Sequence, residues 1–267
     1  MSRSLPAFLA ALAVTVPLGA VHAANTATID YYTIGSGDQD ANHLGGGVVS
    51  NEVQSALGPH GLPVLNTPAF GCSSNCFMLT PAPSDVLATG EITYWSPTLN
   101  NGGSGGTSDV THTGSATVSL PFSVPSNFFP PNGTGSSNGG ASGYQAATLS
   151  GSLNVPSPEQ ISFSIGADDM AFAFLDGAKV CDLGGVHGSS AGSCVTPFTI
   201  AAGGHQLQVF FVDINQVQSG FSFNVTTQDV SVGPPVVSGI PEPDTYALMG
   251  LGLAGIGAWS RRRGARR

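Results

Sequence analysis

Short segments in which hydrophobic and polar residues alternate run through the second half of the chain, separated by glycine, proline or aspartate. The alternation is clearest at residues 161–165 and 207–210. A period of two predicts strands that bury one face. Further strand-like pieces occupy residues 147–155, 171–177, 179–185, 198–212 and 220–227.

The first half of the chain gives weaker signals. Segments rich in Thr, Val, Ile and Tyr predict strands at residues 26–34, 92–95 and 111–124. Residues 48–57 predict a short helix, which the following Gly-Pro pair would end. Many short strands with regular turn signals, in a body nearly free of Lys and Glu, predict an all-β fold. The expected architecture is an antiparallel, jelly-roll-like β-sandwich.

The N-terminus has the composition of a secretory signal peptide. Arg3 supplies a positive start, residues 5–21 form an almost uncharged apolar run, and small residues follow it. These features predict a signal peptide over residues 1–23.

The C-terminal tail begins with a Pro-Glu-Pro sequence and ends in a cluster of arginines. Residues 245–260 between them carry no charge, which predicts a single transmembrane helix whose arginine end stays in the cytoplasm. The remaining boundaries are a body at 24–229, a linker at 230–240 and a sorting tail at 241–267.

Three parts of this tail occur in an order that resembles the PEP-CTERM sorting signal of bacterial proteins handled by an exosortase. The residues that carry the resemblance are Pro241, Glu242, Pro243, the apolar run, and then Arg261, Arg262 and Arg263. The resemblance implies a transient inner-membrane anchor that an exosortase-type enzyme cuts near Pro-Glu-Pro, leaving the body at the cell surface or outside. An ordinary single-span anchor is the alternative.

Charge is distributed unevenly along the chain. Of the seven Lys and Arg residues, Arg3 lies in the signal peptide and five lie in the tail, so only Lys179 is left in the body. Fourteen acidic residues accompany it there, a net charge of about −13. Phosphate binding depends on Lys and Arg, so nucleic acid is excluded as an expected partner. Cations, neutral glycans and other surface polymers are favoured.

Four cysteines form two local pairs. They are Cys72 with Cys76 and Cys181 with Cys194. An even count in an exported chain predicts disulfides, and local pairing is the simplest of the three possible connectivities. A zinc site made by all four thiolates is the alternative, although neither pair has C-x-x-C spacing.

An ordered series of short motifs occupies residues 149–227. An acidic pair, Asp168-Asp169, precedes an aromatic strand and an Asp-Gly hairpin. The sequence Asp-Leu-Gly-Gly-Val-His follows, and then a hydrophobic strand that ends at Asp213. This series resembles the fibro-slime domain, itself similar to the protective-antigen-type β-sandwich of adhesins and glycan-acting proteins.

The resemblance implies a calcium site at the acidic pair. In glycan-binding members of the protective-antigen group, two adjacent aspartates hold a calcium ion that also binds sugar hydroxyls. Asp168 and Asp169 match that pair, and a cis peptide is one way to turn both carboxylates towards one ion. Asp213 and Asn215 are candidates for further oxygen ligands by position in the later loop. The alternative is that both aspartates cap a turn and face water.

No catalytic motif accompanies these residues. His187 has no evident nucleophile as a partner, and no glutamates pair into a glycosidase dyad. We expect a structural role for the loop residues Asp182, Gly184, Gly185 and His187. The expected function is non-catalytic binding or scaffolding of exopolysaccharide by an exported surface or matrix protein, with Ca²⁺ as the only expected cofactor. A self-associating matrix protein and a polysaccharide hydrolase are the alternatives.

Overall fold

The computed structural model describes residues 25–36, 38, 47–66, 85–101, 106–124, 143–214 and 219–235. Within these ranges the chain forms thirteen β-strands and no helix. The strands are β1 (Thr26–Ile34), β2 (Val53–Leu57), β3 (Pro63–Leu65), β4 (Val110–Ser119), β5 (Phe122–Val124), β6 (Tyr144–Val155), β7 (Ser162–Asp168), β8 (Met170–Leu175), β9 (Ala178–Leu183), β10 (Ser190–Val195), β11 (Gly203–Asp213), β12 (Gly220–Val225) and β13 (Ser231–Gly233).

The strands form two antiparallel sheets, which confirms the predicted all-β sandwich. The large sheet has nine strands in the order β3-β2-β9-β8-β11-β6-β1-β4, with β13 also paired to β6. The small sheet has four strands in the order β10-β7-β12-β5. Strands β7 and β8 are consecutive in the chain but lie in different sheets, so the chain crosses between the sheets at their junction.

Aromatic and aliphatic side chains fill the space between the two sheets. Phe163 of β7 stacks on Phe223 of β12, with ring centroids 5.8 Å apart. Phe221 of β12 stacks on Phe211 of β11 at 5.1 Å and so joins the small sheet to the large one. Alternation therefore correctly predicts the inward face of β7, where Phe163 and Ile165 are buried and Ser164 is not.

The large sheet is buried on its second face as well, which corrects the expectation of one-sided strands. Every residue of β8 is buried. Phe172 of β8 and Phe210 of β11 belong to a second apolar cluster on that face. The indole N–H of Trp95 donates to the Phe211 carbonyl at 2.7 Å. Chain from the first half covers the face, so β8 and β11 lack a clean period of two.

The predicted helix at 48–57 is wrong, because this segment joins the edge of the large sheet. Val53–Leu57 forms β2, whose Ala56 pairs with Ala178 of β9. Lys179 Nζ donates to the Val53 carbonyl at 2.6 Å and Asp182 Oδ2 accepts from the Val53 N–H at 3.3 Å. A ten-residue helix is marginal by itself, so these tertiary bonds decide the conformation.

Three other predicted boundaries are corrected. Ile92 makes only an isolated bridge to Val86, and the chain turns at the next aromatic residues instead of forming a strand. The expected strand at 111–124 divides into β4 and β5, which lie in different sheets and are separated at Pro121, a residue with no N–H to donate. Residues 231–233, expected in the linker, form β13 against β6.

Some expectations fall outside the described residues. They concern the signal peptide at 1–23, the cysteines Cys72 and Cys76, and the tail with its apolar run at 245–260. A search of the described ranges for an apolar helix of membrane-spanning length finds none.

The predicted local disulfide between Cys181 and Cys194 is confirmed. Their Cα atoms lie 5.5 Å apart, and the two residues are separated by 13 positions in the sequence. Cys181 lies in β9 of the large sheet and Cys194 in β10 of the small sheet, so the bond joins the two sheets at one edge of the sandwich.

Removal of this bond should destabilise the fold. We expect Cys194→Ala to lower the free energy of unfolding by about 3 kcal/mol, since the unfolded chain gains the entropy of an open loop of this length. Denaturant unfolding of the oxidised protein measures the change. The neighbouring variant Ser193→Ala, at an exposed position of the same strand, should stay within about 0.5 kcal/mol of the wild type. Equal midpoints for Cys194→Ala and wild type would contradict this prediction.

Candidate functional site

Three connections between strands meet at one end of the sandwich. They are the β7–β8 junction, the β9–β10 connection at 184–189 and the β11–β12 connection, of which residues 214 and 219 are described. The peptide bond between Asp168 and Asp169 at the first of them is cis. Asp169 Oδ1 accepts from the His187 N–H and Oδ2 accepts from the Ile214 N–H, each at 3.0 Å. The Asp169 carboxylate therefore joins all three connections.

Asp169 also contacts a second buried acid, Asp213. Both residues are 0 % exposed and their carboxyl groups are hydrogen-bonded to each other. Burial, with a smaller contribution from the charge of Asp168, raises the pKa of Asp169 to about 7 against the opposing hydrogen bonds from the Ile214 N–H, Asp213 and the His187 N–H. Two buried carboxyl groups in contact need a shared proton or a cation between them. Asp169 and Asp213, which the sequence predicts as candidate ligands of one ion, thus lie in contact.

Asp168 carries a buried oxygen that no described residue satisfies. The residue is 3 % exposed, and its Oδ2 has no hydrogen-bond partner in the described ranges. Burial raises its pKa, while the Ser189 N–H and the charge of His187 act in the opposite direction. Buried polar atoms are normally satisfied, so an unsatisfied carboxylate oxygen indicates a place for a ligand.

Three further polar atoms at this end of the sandwich are buried and have no hydrogen-bond partner within the described part of the chain. They are His187 Nε2, Ser219 Oγ and Gln145 Oε1. Ser219 precedes Gly220, which pairs with Asp168, and Gln145 pairs with Asp213 across β6 and β11. His187 uses its other ring nitrogen, Nδ1, on the Gly188 carbonyl at 2.9 Å. Sequence patterns do not indicate Gln145 or Ser219, because strand pairing, of Gln145 itself and of Gly220 beside Ser219, brings them to this end of the sandwich.

The donor set at this end fits a hard cation. It consists mainly of carboxylate, amide and hydroxyl oxygens, which are the ligands that calcium prefers. The one basic side chain of the body, Lys179, is engaged elsewhere, since its ammonium group donates to Asp182 Oδ2 at 2.7 Å. No Lys or Arg is left in the body to neutralise Asp168, Asp169 and Asp213. Asn215, the fourth expected ligand, lies outside the described residues.

A second acidic group lies in the first half of the chain. One carboxylate oxygen from each of Asp38, Asp85 and Asp109 lies within 4.8 Å of the other two. This is the one place among the described residues where three such ligand atoms come so close. Asp85 is fully buried and its Oδ1 accepts from the Asn100 amide. These three residues are far apart in sequence, so no local pattern indicates them.

The Gly-Gly turn of the β9–β10 connection lies against another buried acid, Glu52. Its Oε2 accepts from the Gly185 N–H, and the residue is 1 % exposed. Burial, with smaller contributions from the charges of Asp182 and Asp169, raises the pKa of Glu52 to about 8, although the hydrogen bond from the Gly185 N–H lowers it in part. Asp182 in turn accepts from the Glu52 and Val53 N–H groups at 3.4 and 3.3 Å.

A cavity of about 430 Å³ lies away from this site and is lined partly by Asp176 and His205. Its charged groups are already paired, with His205 Nδ1 2.6 Å from Asp176 Oδ2 and its Nε2 2.9 Å from the Ala201 carbonyl. Burial lowers the pKa of His205, but the hydrogen bonds and charge of Asp176 and the Ala201 carbonyl raise it overall. This cavity therefore has fewer unpaired polar groups to bind a ligand than the acidic end of the sandwich has.

Comparison with known protein families finds one match. Residues 239–263 match the PEP-CTERM protein-sorting motif. The chain thus carries a sorting motif of exosortase substrates, which supports an exported, surface-targeted protein. No curated protein matches the chain.

Solved structures similar to this fold include sugar-binding domains. The PA14 sugar-binding domain from an RTX adhesin is 14% identical over 79% of this chain and 95% of its own, with a TM-score of 0.37. The epithelial adhesin 9 A domain of Candida glabrata, in complex with Galb1-4GlcNAc, is 12% identical over 80% and 91%, with a TM-score of 0.38. The PA14 domain of the MpAFP antifreeze protein is 13% identical, with a TM-score of 0.28. The similar part covers 34% of this chain and only 53% of that one. At these values the similarity assigns no function.

Proposed function

We propose that the exported body is a non-catalytic, calcium-dependent glycan-binding module of the fibro-slime type. The observation that carries the proposal is the unsatisfied, buried Oδ2 of Asp168 beside the buried Asp169–Asp213 pair. The body carries about −13 in charge, and its single Lys is engaged with another acid, so a cation is the natural counterion for these carboxyl groups. The sorting motif at 239–263 supports a surface or extracellular place of action, with processing by an exosortase-type enzyme.

In this proposal Asp168, Asp169 and Asp213 are calcium ligands, and Asn215 is a further one. A bound calcium ion would supply positive charge and open coordination positions for sugar hydroxyls. Asp169 also positions the site, because its two oxygens accept from the His187 and Ile214 N–H groups and so fix the connections around Asp168. The unsatisfied polar atoms of Gln145, Ser219 and His187 are available for hydrogen bonds to the ion's ligands or to hydroxyl groups.

The acidic body favours neutral glycans over acidic ones. No Lys or Arg other than Lys179 is present in the body to attract a carboxylate or sulfate on a sugar. The ligand class proposed is therefore a neutral surface or extracellular polysaccharide.

Calcium titration of the purified protein tests the proposal. We expect Asp168→Asn to weaken calcium binding at least tenfold in isothermal titration calorimetry, because the amide removes the charge of the unsatisfied oxygen. The control Asp229→Asn changes an exposed aspartate with a φ of 62°, a conformation that Asn tolerates, and should bind calcium like the wild type. Absence of calcium-binding heat in the wild type would overturn the metal site.

Glycan binding needs a separate measurement. On an array of neutral and acidic oligosaccharides, the wild type with calcium should retain neutral glycans and should lose them in a chelator. Asp168→Asn should lose them even with calcium present. If neutral glycans are retained equally with the chelator and by Asp168→Asn, the site is not calcium-dependent.

A further inference from the structure

The outer face of the small sheet consists mainly of short, uncharged side chains. Because side chains alternate along a strand, the inward positions of Phe163 and Ile165 place Ser164 and Gly166 outward. Pairing places Ser222 of β12 and Ala191 of β10 on either side of Gly166. The same outward positions hold Ser193 of β10 and Asn224 of β12 beside Ser164.

This face is grooved, not flat. A cavity of about 230 Å³ includes Gly166 and Gly220 in its lining, and one of about 290 Å³ includes Ser164 and Gly192. Ala191 and Ser222 line both, so the two cavities adjoin. A Cβ atom built on Gly166 would lie 2.5 Å from Ser222 Oγ, so the glycine leaves room for the Ser222 hydroxyl at the floor of the groove.

One end of the groove lies at the unsatisfied carboxylate of Asp168. Alternation along β7 places this side chain on the same face as Gly166 and Ser164. Gly220, which lines the groove, pairs with Asp168, and Ser189, which also lines it, donates its N–H to the Asp168 carboxylate. Four residues separate Asp168 from Ser164, a length of about 13 Å along the strand. The groove is therefore an extension of the candidate site that is long enough for more than one sugar unit.

We propose that this groove binds consecutive units of a linear, neutral polysaccharide, one unit of which lies at Asp168. The inference rests on the proposed glycan-binding function and adds the form of its ligand. The serine hydroxyls of this face offer both donors and acceptors to sugar hydroxyls. Among the residues that the structure describes, no charged side chain other than Asp168 lies on this face, so the groove does not favour an ionic polymer over a neutral one.

An exposed alanine on β10 allows the groove to be blocked without a change to the core. Ala191 is exposed and lines both cavities. Val195, four residues along the same strand and on the same face, is also exposed but lines neither. Both Ala191→Phe and Val195→Phe therefore add an aromatic ring to the same face of β10. The ring at position 191 lies inside the groove, and the ring at position 195 lies outside it.

The experiment is a titration of the calcium-loaded protein with linear neutral oligosaccharides of one to six units from the cello-, malto- and galacto- series. We expect the affinity of the wild type to rise at least tenfold from the monosaccharide to the longest oligomer of the series that binds. Ala191→Phe should lose that gain while keeping the monosaccharide and calcium affinities. Val195→Phe should behave as the wild type. Ser193→Phe blocks the adjoining cavity and serves if Ala191→Phe fails to fold.

The outcomes separate the two proposals. If the oligomers bind no better than the monosaccharide, or if both groove variants keep the gain with length, the groove proposal is wrong and the glycan-binding function stands. If no sugar of any length binds the calcium-loaded wild type, the proposed function fails, and the groove proposal fails with it.

Discussion

A Gly185→Ala variant is expected to lose about 3 kcal/mol or more of its free energy of unfolding. Gly185 has a φ of +89°, which an L side chain rarely adopts. A Cβ atom there would overlap the Gly47 carbonyl oxygen and lie 2.9 Å from the Val49 nitrogen. Both contacts are backbone atoms of a chain held at Gly184 by mutual hydrogen bonds with Val49, so neither can move aside cheaply.

Gly188→Ala is a matched control, because it lies in the same connection and is exposed. Nothing lies within 4 Å of a Cβ atom built on Gly188, and its φ is not in the left-handed region. Its free energy of unfolding should stay within about 0.5 kcal/mol of the wild type. Denaturant unfolding of the two variants side by side measures the difference. Similar losses for both would mean that the close approach at Gly185 does not limit the fold.

The second half of the sandwich is largely predictable from sequence because its strands bury apolar residues in a pattern that their own neighbours reveal. Residues 161–165 show the alternation, and β7 does bury Phe163 and Ile165 against the large sheet. The local pair Cys181 and Cys194 needs only its short spacing to predict the bond that the structure contains. Short-range information is sufficient in these cases.

The first half could not be predicted in the same way, because distant residues decide its conformation. Val53 becomes part of a strand through Lys179 and Asp182, more than a hundred residues later. Trp95 is buried, and its indole N–H donates to a carbonyl of β11. A single sequence carries no signal for such pairings, so local propensity predicted a helix where the sheet edge forms a strand.

The candidate site, too, is predictable from the sequence only in part. The adjacency of Asp168 and Asp169 is visible in the sequence. The bonds from His187 and Ile214 to Asp169, and the positions of Gln145 and Ser219, depend on which connections the sandwich brings to one end. The chemistry of the acidic pair could thus be predicted, but the groups that surround it could not.

The pH dependence of the free energy of unfolding should reflect two buried glutamates whose pKa values are shifted in opposite directions. Burial, together with the nearby charges of Asp182 and Asp169, raises the pKa of Glu52 to about 8 against a single hydrogen bond from the Gly185 N–H. Burial also raises the pKa of Glu91, but hydrogen bonds from His60, Thr89 and the Leu62 N–H outweigh burial and lower it overall. Glu52 is therefore protonated in the folded protein at neutral pH, whereas Glu91 is ionised.

The raised pKa of Glu52 makes the folded state bind a proton that the unfolded state releases above a pH of about 4.5. Its contribution to stability is complete below that value and is lost as the pH rises through about 8. Glu52→Gln mimics the protonated acid, so it should flatten the decline of the unfolding free energy over this range. Above pH 8 it should exceed the wild type by on the order of 3 kcal/mol. Asp169, whose pKa is also raised, accounts for a remaining decline that ends at about pH 7.

Glu91→Gln should act in the opposite direction at neutral pH. The Glu91 carboxylate accepts from the His60 N–H and the Thr89 hydroxyl, each at 2.8 Å, and lies 2.6 Å from His60 Nδ1. An amide can accept with one oxygen only and leaves a donor facing donors, so the variant should lose about 2 kcal/mol or more. Urea unfolding of both variants from pH 5 to 9 checks the pair. A wild-type unfolding free energy that rises with pH over this range, or a Glu52→Gln curve parallel to it, would show that Glu52 is ionised in the folded protein.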